Sequence, residues 1–429
     1  MRVSIGQVTP DTEYAEIYGW VHEIRDLGGL IFFVVRDRTG IIQATIVRKK
    51  APEAVIQAAG DVSRESVVRL AGPVKPIDKA PGGREIVPEV FEIISLSESP
   101  LPLDVVEKVP ADLDTRLDAR FLDLRRPRVT AIFQVRSVAA GAIHDYFHST
   151  GFVEITSPKV VAAATEGGTE LFPIAYFEKE AFLNQSPQLY KQMMMAAGFE
   201  KVFEIGPIFR AEEHNTTRHL NEATSVDIEA SFIDQDGAMD ILENLVVEVY
   251  RSVATRCAHA LETLGIELAI PAQPFPRITY QEAIAIAADR TGEEIVFGDD
   301  LGTAAERAIG EEMGCHYFIV DWPTASKPYY AMPHENTPEI CRAFDLMHPR
   351  MELSSGAQRE HRYDRLTARI AEQGLDPGNF SFYLRPFRYG MPPHSGWGLG
   401  MERLVMTMLD LPNIREAVLF PRDRHRLAP

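Results

Sequence analysis

Gly396, Gly398 and Gly400 alternate along the chain just ahead of Arg403, which lies near the start of the largely apolar run Met401 to Leu409. Glycine lets backbone come close to a ligand, and the apolar run reads as a helix packed beneath it. An arginine at the start of that helix is always charged and offers a fixed fork of donors, which suits the oxygens of a triphosphate. A tight turn before a core helix would give the same pattern. A second constellation is Asp345 and Glu352, seven residues apart on runs that read as neighbouring strands, with Ser355 just after. Such hard oxygen donors suit Mg2+, which keeps waters and bridges phosphates; a solvated acidic pair is the plain alternative. Neither G-x-G-x-x-G after a strand nor G-x-x-x-x-G-K-[ST] occurs, which argues against a Rossmann or P-loop route to the nucleotide.

The elements that must position these groups follow from pattern. At 429 residues, 45% apolar and 25% charged, the chain has room for two or three domains with a large core. Residues 1–103 read as a small β domain: β-rich runs at Tyr14–Ile24, Leu30–Arg36 and Ile41–Val47 are separated by Asp- and Gly-containing turns. A helix over 51–59 and strands over 66–74 and 85–95 complete the set expected of a five-stranded OB barrel. Residues 104–128, rich in Pro, Asp and Arg, read as a hinge. Arg116, Arg120, Arg125, Arg126 and Arg128 are there either to line a nucleic-acid groove or to pair with the interspersed aspartates.

Residues 129–429 form the second domain. Apolar spacing predicts helices over 131–149, 187–197 and 237–264, and strands over 152–155, 317–321, 328–332, 340–346 and 351–354. Consecutive strands with few helices between them imply an antiparallel sheet. The segment 275–315 carries no readable motif. Three widely spaced cysteines suggest neither a disulfide framework nor a zinc site. Without a signal-like start or a bilayer-length apolar run, a cytoplasmic location and no membrane partner are expected. The net charge of −18 argues against nucleic acid on average, but says little about one groove.

Three stretches then carry a resemblance. Gly151-Phe-Val-Glu-Ile-Thr-Ser-Pro158, Phe203 to Glu212 with Arg218-His219-Leu-Asn-Glu222, and Gly398-Leu-Gly400-Met-Glu402-Arg403 resemble motifs 1, 2 and 3 of the class II aminoacyl-tRNA synthetases. Thr165-Glu-Gly-Gly-Thr-Glu170, Ser186-Pro-Gln188-Leu-Tyr-Lys191 and Glu352-Leu-Ser-Ser355-Gly-Ala-Gln-Arg359 are similar to the aspartyl-tRNA synthetases of compact archaeal and eukaryotic type. The resemblance covers essentially the whole chain. It implies an α+β fold, with an N-terminal OB-fold anticodon-binding barrel and a catalytic domain built on an antiparallel sheet flanked by helices.

The implied reaction has two steps: aspartate attacks the α-phosphate of ATP, and a terminal ribose hydroxyl of tRNA then takes the acyl group. By resemblance, Arg210 and Arg403 are catalytic, the first gripping the α-phosphate, the second stacking on adenine and reaching the γ-phosphate. Glu212, Arg218, His219 and Glu352 complete the ATP contacts, and Asp345, Glu352 and Ser355 the Mg2+ ligands. Where the family carries an aromatic that stacks on adenine this chain has Ala223, so His219 is the candidate to cover that purine face. Gln188, Asp227 and Glu166 would receive the α-ammonium as the loop Thr165 to Thr169 closes. Lys191 and Arg359 would supply fixed positive charge to the substrate β-carboxylate; asparagine would leave them unpaired, at a cost on the order of a few kcal/mol. Related asparaginyl enzymes lack the lysine at the position of Lys191, and lysyl enzymes need carboxylates there.

In the barrel, Phe32 and Gln43 fall where the family stacks on and hydrogen-bonds the central anticodon base. Alternation puts one of Phe32 and Phe33 inward without saying which. Strict enzymes of this type tend to carry Trp and Lys where this chain has His22 and Pro81. The expectation is therefore a non-discriminating enzyme for tRNA(Asp) and tRNA(Asn), a homodimer through the first motif, with an amidotransferase as a possible companion. The alternatives are a strict aspartyl enzyme, a tRNA-independent ligase on the same catalytic fold, and a nucleic-acid-binding protein with a dead synthetase domain.

Overall fold

The computed structural model describes residues 2–162, 171–212, 216–292 and 295–429. Glu166 and the expected closing loop lie outside the described residues. The chain divides into two compact units, Met1–Arg126 and Pro127–Pro429.

The first unit holds β1 (Tyr14–Asp26), β2 (Leu30–Asp37), β3 (Gly40–Val47), α1 (Glu53–Asp61), β4 (Val67–Pro76), β5 (Arg84–Ile86) and β6 (Val90–Ser95). The strands run in the order β1-β2-β3-β5-β4-β6, and β1 also pairs with β4, which closes the barrel. Alternation sends Ile17, Val21, Ile31, Phe33, Val35 and Ile42 inward, each at most 2% exposed. Phe33 is thus the core residue and Phe32 faces outward. The single strand expected over 85–95 is two, because Pro88 has no N–H to give a ladder; β5 pairs with β3 and β4, and β6 with β4.

The expected hinge segment belongs to this unit as far as Arg126 and carries two short helices, α2 (Leu113–Asp118) and α3 (Arg120–Asp123). Asp112 caps α2 by accepting from the Thr115 N–H. Arg116, Arg120 and Arg126 converge on the buried Asp123 carboxylate, and Arg125 reaches Glu65 at 2.9 Å. These four arginines pair with acids of their own unit.

The second unit comprises α4 (Pro127–Ser149), β7 (Val153–Glu154), β8 (Val160–Val161), β9 (Pro173–Tyr176), β10 (Lys179–Leu183), α5 (Gln188–Ala196), β11 (Lys201–Phe209) and β12 (Glu222–Ser231). There follow α6 (Gln235–Arg256), α7 (Ala258–Leu264), β13 (Arg277–Thr279), α8 (Tyr280–Thr291), α9 (Thr303–Met313), β14 (Tyr317–Pro323), β15 (Ile340–His348) and β16 (Met351–Gln358). Helices α10 (Tyr363–Glu372) and α11 (Ser381–Phe387), strand β17 (His394–Gly400) and α12 (Met401–Met408) complete it. Its main sheet has the order β13-β14-β15-β16-β17-β12-β11-β7, antiparallel except at the two ends. One core joins α4, α6 and α12 to that sheet, with Phe147 and Trp397 wholly buried and the Trp397 indole donating to Ala238 O.

Two expectations change here. Residues 328–332 form no strand: Pro328 closes a turn to the Ala331 N–H, and only isolated bridges follow. The aromatic run there packs inward instead, with Tyr329 and Tyr330 buried. The unreadable segment 275–315 contains β13, α8 and α9, and α8 begins at a capping box formed by Thr279 and Glu282.

Candidate active site

Strand β17 lies between β12 and β16, and the three together with the β11–β12 hairpin wall a cavity of about 410 Å³. Gln188, Arg210, Glu212, Arg218, His219, Asp227, Glu352, Ser355, Arg359 and Arg403 all line it. Ten residues spread over more than two hundred positions thus meet at one wall. Lys191 and Asp345 do not line it and are 2% and 1% exposed.

The glycines of β17 make room for acidic side chains of the protein itself. A Cβ at Gly396 would collide with the Glu229 carboxylate and with Ile228 O, and one at Gly398 would stand 3.1 Å from Asp227 Oδ1. Only Gly400 opens toward Arg403, whose side-chain carbons lie 3.5 Å from where its Cβ would be. The expectation that all three glycines admit a ligand is corrected at Gly396, whose room β12 takes; Gly398 and Gly400 line the cavity.

Lys191 and Arg359 are also not the uncompensated charges expected from the sequence. The Lys191 ammonium donates to Asp227 Oδ1 at 2.9 Å and Trp397 O at 3.0 Å, with Glu229 at 3.7 Å. Arg359 donates through Nε and Nη2 to Glu229, at 3.0 and 3.3 Å, and through Nη2 to Gln188 Oε1 at 3.4 Å. Two buried cations therefore face two buried carboxylates, because an unpaired buried ion costs several kcal/mol. Asp227, expected to hold an ammonium, is engaged by Lys191 and by the Ser225 hydroxyl.

At the other end Asn221 fixes the motif-2 turn: its amide donates to Arg210 O at 2.7 Å and Glu212 O at 3.3 Å, while Arg210 N donates to Asn221 O. Arg403 donates to Glu352, to both its backbone and its side chain, and Arg218 to Glu306 at 3.3 Å. Glu306 sits on α9, which docks where Gly310 leaves no space for a Cβ against Pro349 O in the β15–β16 turn. Burial, helped by the charge of Glu352, pushes Glu306 up to about 7 against the pull of Arg218 and Arg403. Burial pushes His219 down to about 4, and Arg403, Arg210 and Arg218 add to the shift. Its ring is thus neutral at pH 7, and its Nδ1 lies 2.7 Å from Thr216 Oγ1. Ala223 lines the cavity without an aromatic face.

Asp345 and Ser355 are register partners across β15 and β16. Asp345 is taken by Lys327, whose ammonium donates to Oδ2 at 2.7 Å, while Oδ1 is buried without a well-formed hydrogen bond among the described residues, the Ser355 hydroxyl lying near the carboxylate. Burial pushes Asp345 up to about 6, with Lys327 opposing and Glu352 adding to the rise. The orphaned oxygen, the half-buried Glu352 and the exposed Ser355 hydroxyl form an all-oxygen set that fits Mg2+. As an immediate ligand Asp345 needs Lys327 to turn away.

On the barrel's outer face, Phe32 is paired in register with Thr45, and Gln43 with Glu85. Gln43 Nε2 donates to Glu85 at 2.9 Å. His22 is the extra residue of a bulge in β1 and accepts from Arg36 at Nδ1, 2.8 Å away. Pro81 opens the turn before β5, and its carbonyl accepts from Arg84. Phe32 and Gln43 therefore share one face, His22 lies in the bulge of β1, and Pro81 lies on the side of β3 and β5.

Residues 112–424 match the tRNA synthetases class II (D, K and N), and residues 15–94 match the OB-fold nucleic acid binding domain. The chain belongs to the class II tRNA synthetases. Among the synthetase's relatives is an aspartate–tRNA(Asp/Asn) ligase of Methanoculleus marisnigri, 69% identical over 429 residues and the whole of both chains. The ligase of that name from Archaeoglobus fulgidus is 62% identical over the whole of both chains. Among solved structures, the Pyrococcus horikoshii asparaginyl-tRNA synthetase complexed with asparaginyl-adenylate superposes with a TM-score of 0.94 at 36% identity, covering all of both chains. An aspartyl tRNA synthetase from Entamoeba histolytica gives 0.88 at 32%, covering all of this chain and 93% of that one.

Sequence pattern missed three groups of this synthetase's site. Glu229 carried a signal, since it lies two residues after Asp227 on β12 and so on the same face. Lys327 sits in a loop and Glu306 on a helix without a motif, so only tertiary folding brings them in.

Proposed function

We propose that this synthetase joins L-aspartate to ATP as aspartyl-adenylate and passes the aspartyl group to tRNA(Asp) and tRNA(Asn) alike. The observation that carries the choice of amino acid is the donor arrangement at Arg359. Its Nε and Nη2 are taken by Glu229 and Gln188, and among the described residues Nη1 has no partner and is left for a substrate. Gln188 Nε2 is a further buried donor without a partner among the described residues. A β-carboxylate accepts from both, whereas the amide nitrogen of asparagine would set donor against donor. Lys191 acts from beneath, by holding Asp227 and Glu229 in place and offsetting their charge.

Activation is an in-line displacement at phosphorus, in which positioning and charge neutralisation dominate. Arg210, its backbone fixed by Asn221, grips the α-phosphate. Glu212 accepts from the adenine amino group, Arg403 stacks on the purine, and neutral His219 covers the face left open at Ala223. Arg218 and Arg403 neutralise the β- and γ-phosphates. Glu352, Ser355 and Asp345 would hold Mg2+, which would supply further charge neutralisation there.

Relaxed tRNA choice is supported by the shared name of relatives 62% and 69% identical over the full length. It is also supported by His22: with Nδ1 accepting from Arg36, the neutral ring presents Nε2–H, a donor to the O2 that cytosine and uracil both carry. Phe32 stacks on the central anticodon base and Gln43 bonds its edge. Proline at 81 adds no donor of its own that would single out cytosine. The enzyme is proposed to work in the cytoplasm as a homodimer through α4, β7 and Pro158, with an amidotransferase converting the aspartyl-tRNA(Asn) it makes.

The test is charging of purified tRNA(Asp) and tRNA(Asn) transcripts with labelled aspartate, and separately asparagine, under equal conditions. Comparable aspartate charging of both is expected. Charging of tRNA(Asp) alone would restrict the enzyme to one tRNA, and preference for asparagine would overturn the assignment at Arg359.

A further inference from the structure

His144 and His148 stand one turn apart on α4, and the helix ends at once: Gly151, at φ +82°, turns the chain back, and Phe152 N donates to Phe147 O. That reversal brings Glu154 of β7 alongside the last turns of α4, in register with Phe203 of β11. The donor atoms of His144, His148 and Glu154 all lie within 4.8 Å of one another. Glu154 Oε2 is 3.6 Å from His144 Nδ1 and 3.8 Å from His148 Nε2, beyond ordinary hydrogen-bond reach. The two imidazoles are within 17° of parallel, and each meets the wholly buried Phe203 ring edge-on, at 5.7 and 5.3 Å. A core aromatic thus steadies both rings, while all three side chains keep one side open to solvent.

We propose that His144, His148 and Glu154 form a site for one divalent transition-metal ion, at the junction of α4 with the edge strand β7 and outside the aspartate and ATP cavity. Two imidazole nitrogens and one carboxylate oxygen suit Zn2+, Ni2+ or Co2+, whereas Mg2+ prefers oxygen alone. Bonds of about 2.0–2.2 Å at tetrahedral angles put donor atoms roughly 3.3–3.6 Å apart. The separations of 3.6 and 3.8 Å from Glu154 to the two histidines are already close to that spacing, and water would fill the remaining position. Bound there, the ion staples the end of the helix to the strand that follows it.

The plain alternative is a protonated histidine paired with Glu154, favoured by the carbonyl end of α4. Calorimetric titration of the full-length, untagged chain with Ni2+, in excess Mg2+ at pH 7.5, separates the two. One saturable ion per chain is expected. Binding should weaken by about tenfold or more in H144A and in H148A, and less in E154Q. Pyrophosphate exchange in Mg2+ should be unchanged in all three, and Ni2+ should raise the melting temperature of the wild type more than that of any of the three. No binding, or binding that survives the H144A/H148A double variant, would overturn the site. The same surface is proposed to meet a second copy, so sedimentation is run on the titrated sample. One ion per chain in whatever assembly forms supports the site, and binding confined to a dissociated fraction overturns it.

Discussion

The two ends of the cavity handle charge in opposite ways. At the closed end Lys191, Arg359, Asp227 and Glu229 are all buried and bonded to one another. At the other end the Arg210 guanidinium has no partner among the described residues, and Arg218 and Arg403 hold their carboxylates at 3.2–3.3 Å. A balanced, buried network fixes shape, which suits the proposed selection of a small substrate by where its donors point. The loosely paired cations suit the proposed neutralisation of phosphate charge.

The contrast predicts where substitutions will hurt, and how. Glu229→Ala should be the most damaging, since it leaves Arg359 and Lys191 facing a single carboxylate. Breaking a buried pair costs about 3–5 kcal/mol, to be seen in urea unfolding together with loss of aspartate-dependent pyrophosphate exchange. If its stability were unchanged, the closed end would not be the rigid part. Arg210→Ala should leave unfolding unaltered and lower kcat for exchange by roughly 10²–10³-fold. A large rise in KM for aspartate in that variant would contradict the division of labour.

Effects at Glu306 should be smaller. Glu306→Ala frees Arg218, and KM for ATP should rise by about tenfold or less with kcat nearly kept. The same acid gives a pH signature. A carboxyl raised to about 7 holds its proton longer in the folded chain than in the unfolded one. Stability should therefore fall as pH rises from about 4.5 through 7. Glu306→Gln should flatten that slope in denaturant titrations, and an unchanged slope would remove Glu306 as its source. His219 works in the other direction: lowered to about 4, it costs stability as pH falls from 6.5 toward 4. The smallest effect belongs to the barrel, where His22→Trp with Pro81→Lys should lower tRNA(Asn) charging relative to tRNA(Asp) while exchange stays at the wild-type rate.

Much of this was legible before folding. Helical spacing located α4, α5 and α6, and strand pattern located β14 to β16, because hydrophobic period reports which face is buried. Arg210, Glu212 and Arg403, singled out by resemblance, line the one cavity. What stayed hidden was pairing. That Lys191 lies under the cavity wall, that Lys327 reaches Asp345 and that Glu306 reaches Arg218 depend on elements distant in sequence, and no local period encodes them. The glycines show the limit: alternate spacing signals a need for room, but it took β12 beside β17 to show that Glu229 takes the room at Gly396.

The Lys327–Asp345 contact bears on the proposed magnesium site. An ammonium on a side chain is a competitor that never diffuses away, so in effect Asp345 is presented with a permanent, concentrated rival cation. An ion proposed to bind there would gain little by displacing it alone. The phosphates of the proposed nucleotide would offer Lys327 a new partner, so metal and nucleotide would bind better together than either does by itself.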